Sequence, residues 1–399
     1  MGLLTLGASD TLARFLKTLY LETHQADILA CNVCSFKYCR EACPVYDIVR
    51  SEGVAPSGFN HYALGILKGM IDYTSSAAEQ IYKCTTCGAC RMDGCVTPGF
   101  GDPIDTPRII EAMRAEIIER GVAPKVVQEL SRQILEKGNP YGASAEVRGS
   151  WISASLMAKE RGDVLYFMGC TAGYLYPAPA QAALRLLEAA EVPVVLLGNR
   201  EPCCGLVLFS IGERRKAAEL ARQNVQTLQA MGVQEVVLSD AGCYRALKKI
   251  YPEELGVAVP FRVHHITESL ERLVSEGRLA FKKGLEQTVT YHDPCNLGIQ
   301  SGVYEAPRNL LGHIPGLKRV EMKKTRDKTR SVGVGGGFEF IFPEMARELA
   351  LRRVEAAKAV GAEALVSACP TVEAHLAAVI SGQSGLLIKD VTELLMDAL

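Results

Sequence analysis

Two runs of cysteine, Cys31-x2-Cys34-x4-Cys39-x3-Cys43-Pro44 and Cys84-x2-Cys87-x2-Cys90-x4-Cys95, crowd into the first part of this chain. No other feature restricts the fold as strongly, because thiols so close in sequence must bond to one another or converge on a metal. The segment from Met1 to Leu16 carries no basic leader and no small-residue cleavage site. A reducing compartment and metal ligation are therefore expected, rather than disulfides. A [4Fe–4S] cube takes four thiolates: a tight C-x2-C loop supplies three, and the other run supplies the fourth. That logic groups Cys31, Cys34 and Cys39 with Cys95, and Cys84, Cys87 and Cys90 with Cys43. Two [4Fe–4S] clusters are expected, close enough to exchange electrons. The gap after Cys34 is x4 where x2 is usual, and that after Cys90 is x4 where x3 and a Pro are usual. Zinc, the competing metal, prefers two C-x2-C knuckles per site.

Composition narrows the remainder. The chain has 399 residues and a net charge of −1, so no basic field draws it to nucleic acid or an anionic membrane. No run approaches 18 apolar residues, so no transmembrane segment is expected. The expectation is a cytoplasmic protein of about two or three domains.

Ser9 to Ala30 reads as an amphipathic helix through Leu12, Phe15, Leu16 and Leu19, and a helical stretch is expected around Tyr62 to Tyr73. Thr106-Pro107 reads as an N-cap and first helical residue, and Pro124 starts a further helix that Gly138 stops. Residues 138–160, rich in Gly, Pro and Ser at their start, are the expected linker. Beyond them the pattern changes to short apolar strands alternating with helices. Val164 to Met168 and Val192 to Leu197 read as buried strands, Gln181 to Ala190 and Glu213 to Met231 as helices, and Val236 to Leu238 as a third strand. This is the signature of an α/β unit with a parallel sheet.

The unit occurs twice. Val164 to Cys170 matches Val289 to Cys295 at an offset of 125, while Val225, Gly232 and Leu247 match Val354, Gly361 and Leu376 at 129. The remaining six cysteines follow this repeat. In the first copy Cys170, the pair Cys203-Cys204 and Cys243 all fall after predicted strands, at the carboxyl edge where parallel sheets build binding sites. Four thiolates there suit a third iron–sulfur cluster.

With Cys170, Cys203-Cys204-Gly205 and Cys243 in place, both repeats resemble the cysteine-rich CCG domain, which combines a lone Cys, a Cys-Cys-Gly and a Cys-x2-Cys. That domain occurs in heterodisulfide reductase catalytic subunits and in the iron–sulfur subunits of glycolate oxidase and anaerobic glycerol-3-phosphate dehydrogenase. Tyr291-His292-Asp293-Pro294-Cys295 and Pro343-Glu344-Met345-Ala346-Arg347 also resemble the family's second module. The implied fold is multidomain (α+β and α/β): a helical ferredoxin-like two-cluster domain at 1–137, the linker at 138–160, and CCG modules at 161–285 and 286–399.

The second module is degenerate. Asp240 stands where the first Cys of Cys-x2-Cys is expected in module one, which makes it a candidate extra ligand. Ser331-Val332-Gly333 replaces Cys-Cys-Gly in module two, and Val372 replaces the last Cys after Cys369. Cys295 and Cys369, with His292, are candidates for a zinc site; the competing reading is two buried thiols left by a decayed module.

The expected function is an electron-transferring iron–sulfur subunit of a cytoplasmic oxidoreductase. The sequence has no flavin or nicotinamide fingerprint, so the expected partners are a flavoprotein dehydrogenase or a flavin-containing electron-transfer subunit, and other redox subunits. A disulfide reductase and a zinc-bearing scaffold are the rivals. Gly333, Gly335, Gly336 and Gly337 lack dinucleotide-loop spacing. His264-His265 is expected to end a strand beside a Thr267 N-cap, and Lys323, Lys324, Arg326, Lys328 and Arg330 form a basic loop suited to an acidic partner or an anionic substrate such as a CoA thioester.

Overall fold

The computed structural model describes residues 20–95, 102–153, 162–381 and 385–399. Two parallel four-stranded sheets dominate it. The first contains β1 (Val164–Phe167), β2 (Val194–Val195), β3 (Glu235–Leu238) and β4 (Arg262–His265), in the order β2-β1-β3-β4. The second contains β5 (Thr288–Tyr291), β6 (Lys318–Val320), β7 (Ala364–Ser367) and β8 (Leu387–Asp390), in the order β6-β5-β7-β8. The shared strand order is the internal repeat expressed in three dimensions. Every strand pair is parallel.

Burial explains the strand sequences. All of β3 and three residues of β1 are buried, a continuous apolar run as expected of a sheet covered on both faces. The edge strand β2 is shorter than the expected Val192 to Leu197, because Gly198–Arg200 turns the chain away as a 3-10 helix. Helix Arg214–Ala230 presents Ala217, Ala221, Val225 and Leu228 to the core at helical spacing.

The N-terminal part is helical. The described portion of the expected Ser9 to Ala30 helix is a turn at Glu22–His24 followed by Gln25–Val33; residues 1–19 lie outside the described residues. The stretch expected around Tyr62 to Tyr73 is helix Pro56–Leu67, opened by Pro56. In helix Thr106–Glu119 the cap is Asp105 rather than Thr106: its carboxylate accepts from the Arg108 N–H, so Thr106 and Pro107 are the first two helical residues. Lys125–Lys137 follows Pro124 and ends at Gly138, whose φ of 69° is left-handed as expected.

Buried charge locks the parts together. The Arg245 guanidinium of module one meets Glu111 of helix Thr106–Glu119 at 2.9 Å, both fully buried. Arg114 donates to the carbonyls of Ser210 (2.9 Å) and Tyr82 (3.1 Å), and the Tyr82 hydroxyl donates to the Ile211 carbonyl at 2.7 Å. Within the stretch expected as linker, Arg148 is buried and ion-paired with buried Glu201 of module one. The modules join through Thr392, whose hydroxyl donates to the Pro179 carbonyl at 3.0 Å.

Candidate thiolate-lined sites

The N-terminal cysteines gather in two groups of four. Cys31 interacts electrostatically with Cys34, Cys39 and Cys95, and all four line one small cavity. Cys90 interacts with Cys43, Cys84 and Cys87, and beyond them with Cys39 of the first group. Each group thus draws three cysteines from one run and one from the other. Backbone amides point at several sulfurs: Tyr46 N–H at Cys43 (3.4 Å), Thr86 N–H at Cys84 (3.3 Å) and Ile104 N–H at Cys95 (3.3 Å). Such donors stabilise thiolate over thiol and tune a bound cluster. Burial opposes them, pushing the Cys31 thiol up to about 12 and the Cys84 thiol up to about 11. Metal ligation requires the thiolate form, so binding of a metal to these thiols would release their protons.

In module one the strand ends converge as expected. Cys170 follows β1, Cys203 and Cys204 follow β2, and Cys243 follows β3. Each thiol faces the next in the order Cys170, Cys203, Cys204, Cys243, and all are buried. The contact with Cys203, together with burial, pushes Cys170 well up. Two glycines make the convergence sterically feasible. A Cβ at Gly169 (φ 78°) would stand 3.3 Å from both the Asp240 Cβ and the Cys243 sulfur, and Gly205 (φ 78°) turns the chain into the next helix. Behind the group, Arg148 donates to the Cys170 sulfur at 3.5 Å while Glu201 accepts from the Met168 and Gly169 amides at 2.9 Å.

Asp240 has no oxygen to spare. Its Oδ1 accepts from the Gly242 (2.9 Å) and Cys243 (3.0 Å) amides, capping helix Ala241–Arg245. Its Oδ2 accepts from the Thr371 hydroxyl at 2.6 Å and lies 3.5 Å from the Cys369 sulfur of module two. The carboxylate that replaces a thiol works here as a helix cap and a clamp between modules.

The other expected residues separate. Cys295 and Cys369 line a cavity of about 70 Å³ together with Cys170, Cys203, Cys204 and Cys243. His292 does not line it. The His292 Nδ1 accepts from the Arg353 Nε–H at 2.9 Å, and burial followed by the neighbouring Arg353 holds the ring far below its usual range. Cys295 is tied electrostatically to Cys87 of the N-terminal domain. His265 is itself the cap expected at Thr267: its Nδ1 accepts from the Thr267 N–H, and its Nε2–H donates to the Ser239 carbonyl at 3.0 Å.

Sequence reading missed Arg148, Glu201, Tyr141, Thr171, Thr371 and Glu339. A chain of hydroxyls runs from Tyr141 to Thr171 (2.7 Å), on to Thr371 (2.6 Å) and then to Asp240 (2.6 Å), joining four segments of chain at the cavity wall. No local motif marks the hydroxyl chain, because Tyr141 and Thr171 are 30 positions apart and Thr171 and Thr371 are 200 apart.

Comparison with known proteins shows the same doubled module. A family model described as a cysteine-rich domain matches residues 164–248 and 289–377. The chain is 35% identical over 384 residues to the D-type subunit of dihydromethanophenazine:CoB–CoM heterodisulfide reductase from Methanosarcina mazei, covering 90% of this chain and 92% of that one. It is 30% identical over 345 residues to the B-type subunit of fumarate reductase (CoM/CoB) from Methanothermobacter marburgensis, covering 85% of this chain and 65% of that one. The crystal structure of a hypothetical protein from Helicobacter pylori shares the fold, with a TM-score of 0.58 at 10% identity over 88% of this chain and 68% of that one.

Proposed function

The chain belongs to the family of D-type heterodisulfide reductase subunits, and on that premise we propose that it is an electron-transferring iron–sulfur subunit of a multisubunit oxidoreductase. The observation that carries the reading is continuity between thiol groups. Cys39 neighbours Cys90, and Cys87 neighbours Cys295, which lines the same cavity as Cys203 and Cys204. In this reading Cys31, Cys34, Cys39 and Cys95 hold one [4Fe–4S] cluster, and Cys43, Cys84, Cys87 and Cys90 hold a second. Cys170, Cys203, Cys204 and Cys243 hold a third iron–sulfur cluster. Bound clusters supply one-electron storage and transfer.

The chain's own residues keep water from the thiolates, aim amides at sulfur and fix the loops through Arg114, Arg148 and Glu201. Hydride chemistry belongs to a partner, a flavoprotein dehydrogenase or a flavin-containing electron-transfer subunit, with the cytoplasm as the compartment. Among the described residues no helix is long and apolar enough to cross a membrane.

Iron, sulfide and zinc analysis with EPR of the reduced, anaerobically purified protein tests the proposal. About twelve irons are expected, at four per cluster. About eight would restrict the clusters to the N-terminal domain, and zinc without iron would overturn the reading. A second reading, disulfide reduction, is favoured by the cavity between the modules, on which the module-one thiols open. Turnover of a disulfide by the reduced protein would establish it, and no turnover would remove it.

A further inference from the structure

A second cavity, of about 150 Å³ and with no cysteine in its lining, lies where the N-terminal part meets module two. One water needs only about 10–15 Å³ on this measure, so the space suits a larger occupant. Its walls carry Lys323, Lys324, Arg330, Arg352 and Arg353 against the single carboxylate of Asp47. The nearby acids are too few to balance them. Lys324 and Arg330 share one Asp93 oxygen, at 2.7 and 2.6 Å. Arg352 pairs with Glu348 at 3.0 Å and reaches Asp47 only at 3.9 Å. Lys323 is exposed and has no ion-pair partner among the described residues.

Arg353 is the telling member. Only 4% exposed, its guanidinium has no carboxylate at ion-pair distance among the described residues. Its Nε–H goes to neutral His292 at 2.9 Å and an Nη1–H to the Lys324 carbonyl at 2.8 Å, while its Nη2 has no hydrogen-bond partner. A buried cation with idle donors is costly unless an anion meets it. Arg353, exposed Lys323 and Arg352, whose charge is shared with Glu348, line the same space. Forked guanidinium donors with lysines match the tetrahedral oxygens of a phosphoryl group.

We propose that this cavity binds the phosphoryl group of a small ligand, clamping helix Pro44–Val49, which follows Cys43, to helix Pro343–Ala359 of module two. The site is independent of the cluster assignment above. Calorimetric titration of the intact, anaerobically purified protein with pyrophosphate, inorganic phosphate and adenosine diphosphate tests it. At least one should bind with one-to-one stoichiometry. Tighter binding of adenosine diphosphate would identify an organic phosphate ligand, and tighter binding of the inorganic ions a free anion.

Lys323 and Arg352 are exposed, so the double variant Lys323→Ala/Arg352→Ala should fold and weaken binding at least tenfold. Arg353→Met should abolish binding if it folds. Lys282→Ala, at an exposed lysine outside the cavity lining, should change nothing. Absence of saturable binding by all three probes would overturn the proposal, as would equal affinity in the double variant and the Lys282 control.

Discussion

Asp240 and Cys369 occupy equivalent positions in the two modules, 129 residues apart, and they touch: the Cys369 sulfur lies 3.5 Å from the Asp240 Oδ2. The repeat therefore brings its two matching strand ends face to face, and the Asp240 carboxylate of one copy meets the Cys369 thiol of the other. Asp240→Ala removes the cap of helix Ala241–Arg245, worth about 0.5–2 kcal/mol, and leaves the Thr371 hydroxyl without its acceptor. A loss of about 1–3 kcal/mol is expected in urea unfolding, with Asp240→Asn losing less. An unchanged midpoint in both variants would show that the clamp contributes nothing.

The interleaved grouping of the N-terminal cysteines separates two variants that the linear sequence pairs differently. Cys95→Ser should alter the EPR signal that Cys31→Ser alters, although Cys95 belongs to the second run. Cys43→Ser should act with Cys84→Ser for the same reason. Each should lower the iron content by up to about four per protein. If Cys95→Ser instead changed the signal lost in Cys84→Ser, each run would be holding its own cluster.

The thiol positions, the doubled α/β module and the carboxyl-edge placement of Cys170, Cys203, Cys204 and Cys243 were all readable from the sequence. They depend on short spacings and on a repeat, which are local or periodic signals. The role of Asp240 was not readable: substitution of a ligand position suggests weak ligation, and only the position of Thr371 reveals a clamp. That His292 stands apart from Cys295 and Cys369 was not readable either: it does not line their cavity, and its Nδ1 accepts from Arg353, 61 positions away. The cap expected at Thr106 moved by one residue because Asp105 caps as well as Thr does, and pattern alone cannot choose between neighbours.

Glu111 and Arg245 form a buried pair between the N-terminal helix and module one. Removing one partner leaves the other charge buried and unpaired, which costs about 3–5 kcal/mol. Glu111→Gln and Arg245→Met should each be strongly destabilising, whereas the double variant Glu111→Leu/Arg245→Met should recover much of the loss. A double variant as unstable as the sum of the singles would show that the two groups act independently.

Glu339, on the wall of the cavity between the modules, titrates against the fold. Burial pushes its carboxyl up to about 7 from the ordinary 4.5, and the Gly335 amide, donating at 3.2 Å, only partly offsets this. The folded protein therefore holds a proton there that the unfolded chain releases. The site stabilises the fold least where it must ionise, so its contribution falls as pH rises from about 4.5 to about 7 and stays low above that. Glu339→Gln keeps an acceptor for the Gly335 amide and removes the titration. The variant should match the parent near pH 4.5 and exceed it above pH 7 by about 1–3 kcal/mol. Unfolding midpoints measured at pH 5 and pH 8 decide the matter: the same gap at both would mean that Glu339 ionises freely in the folded protein.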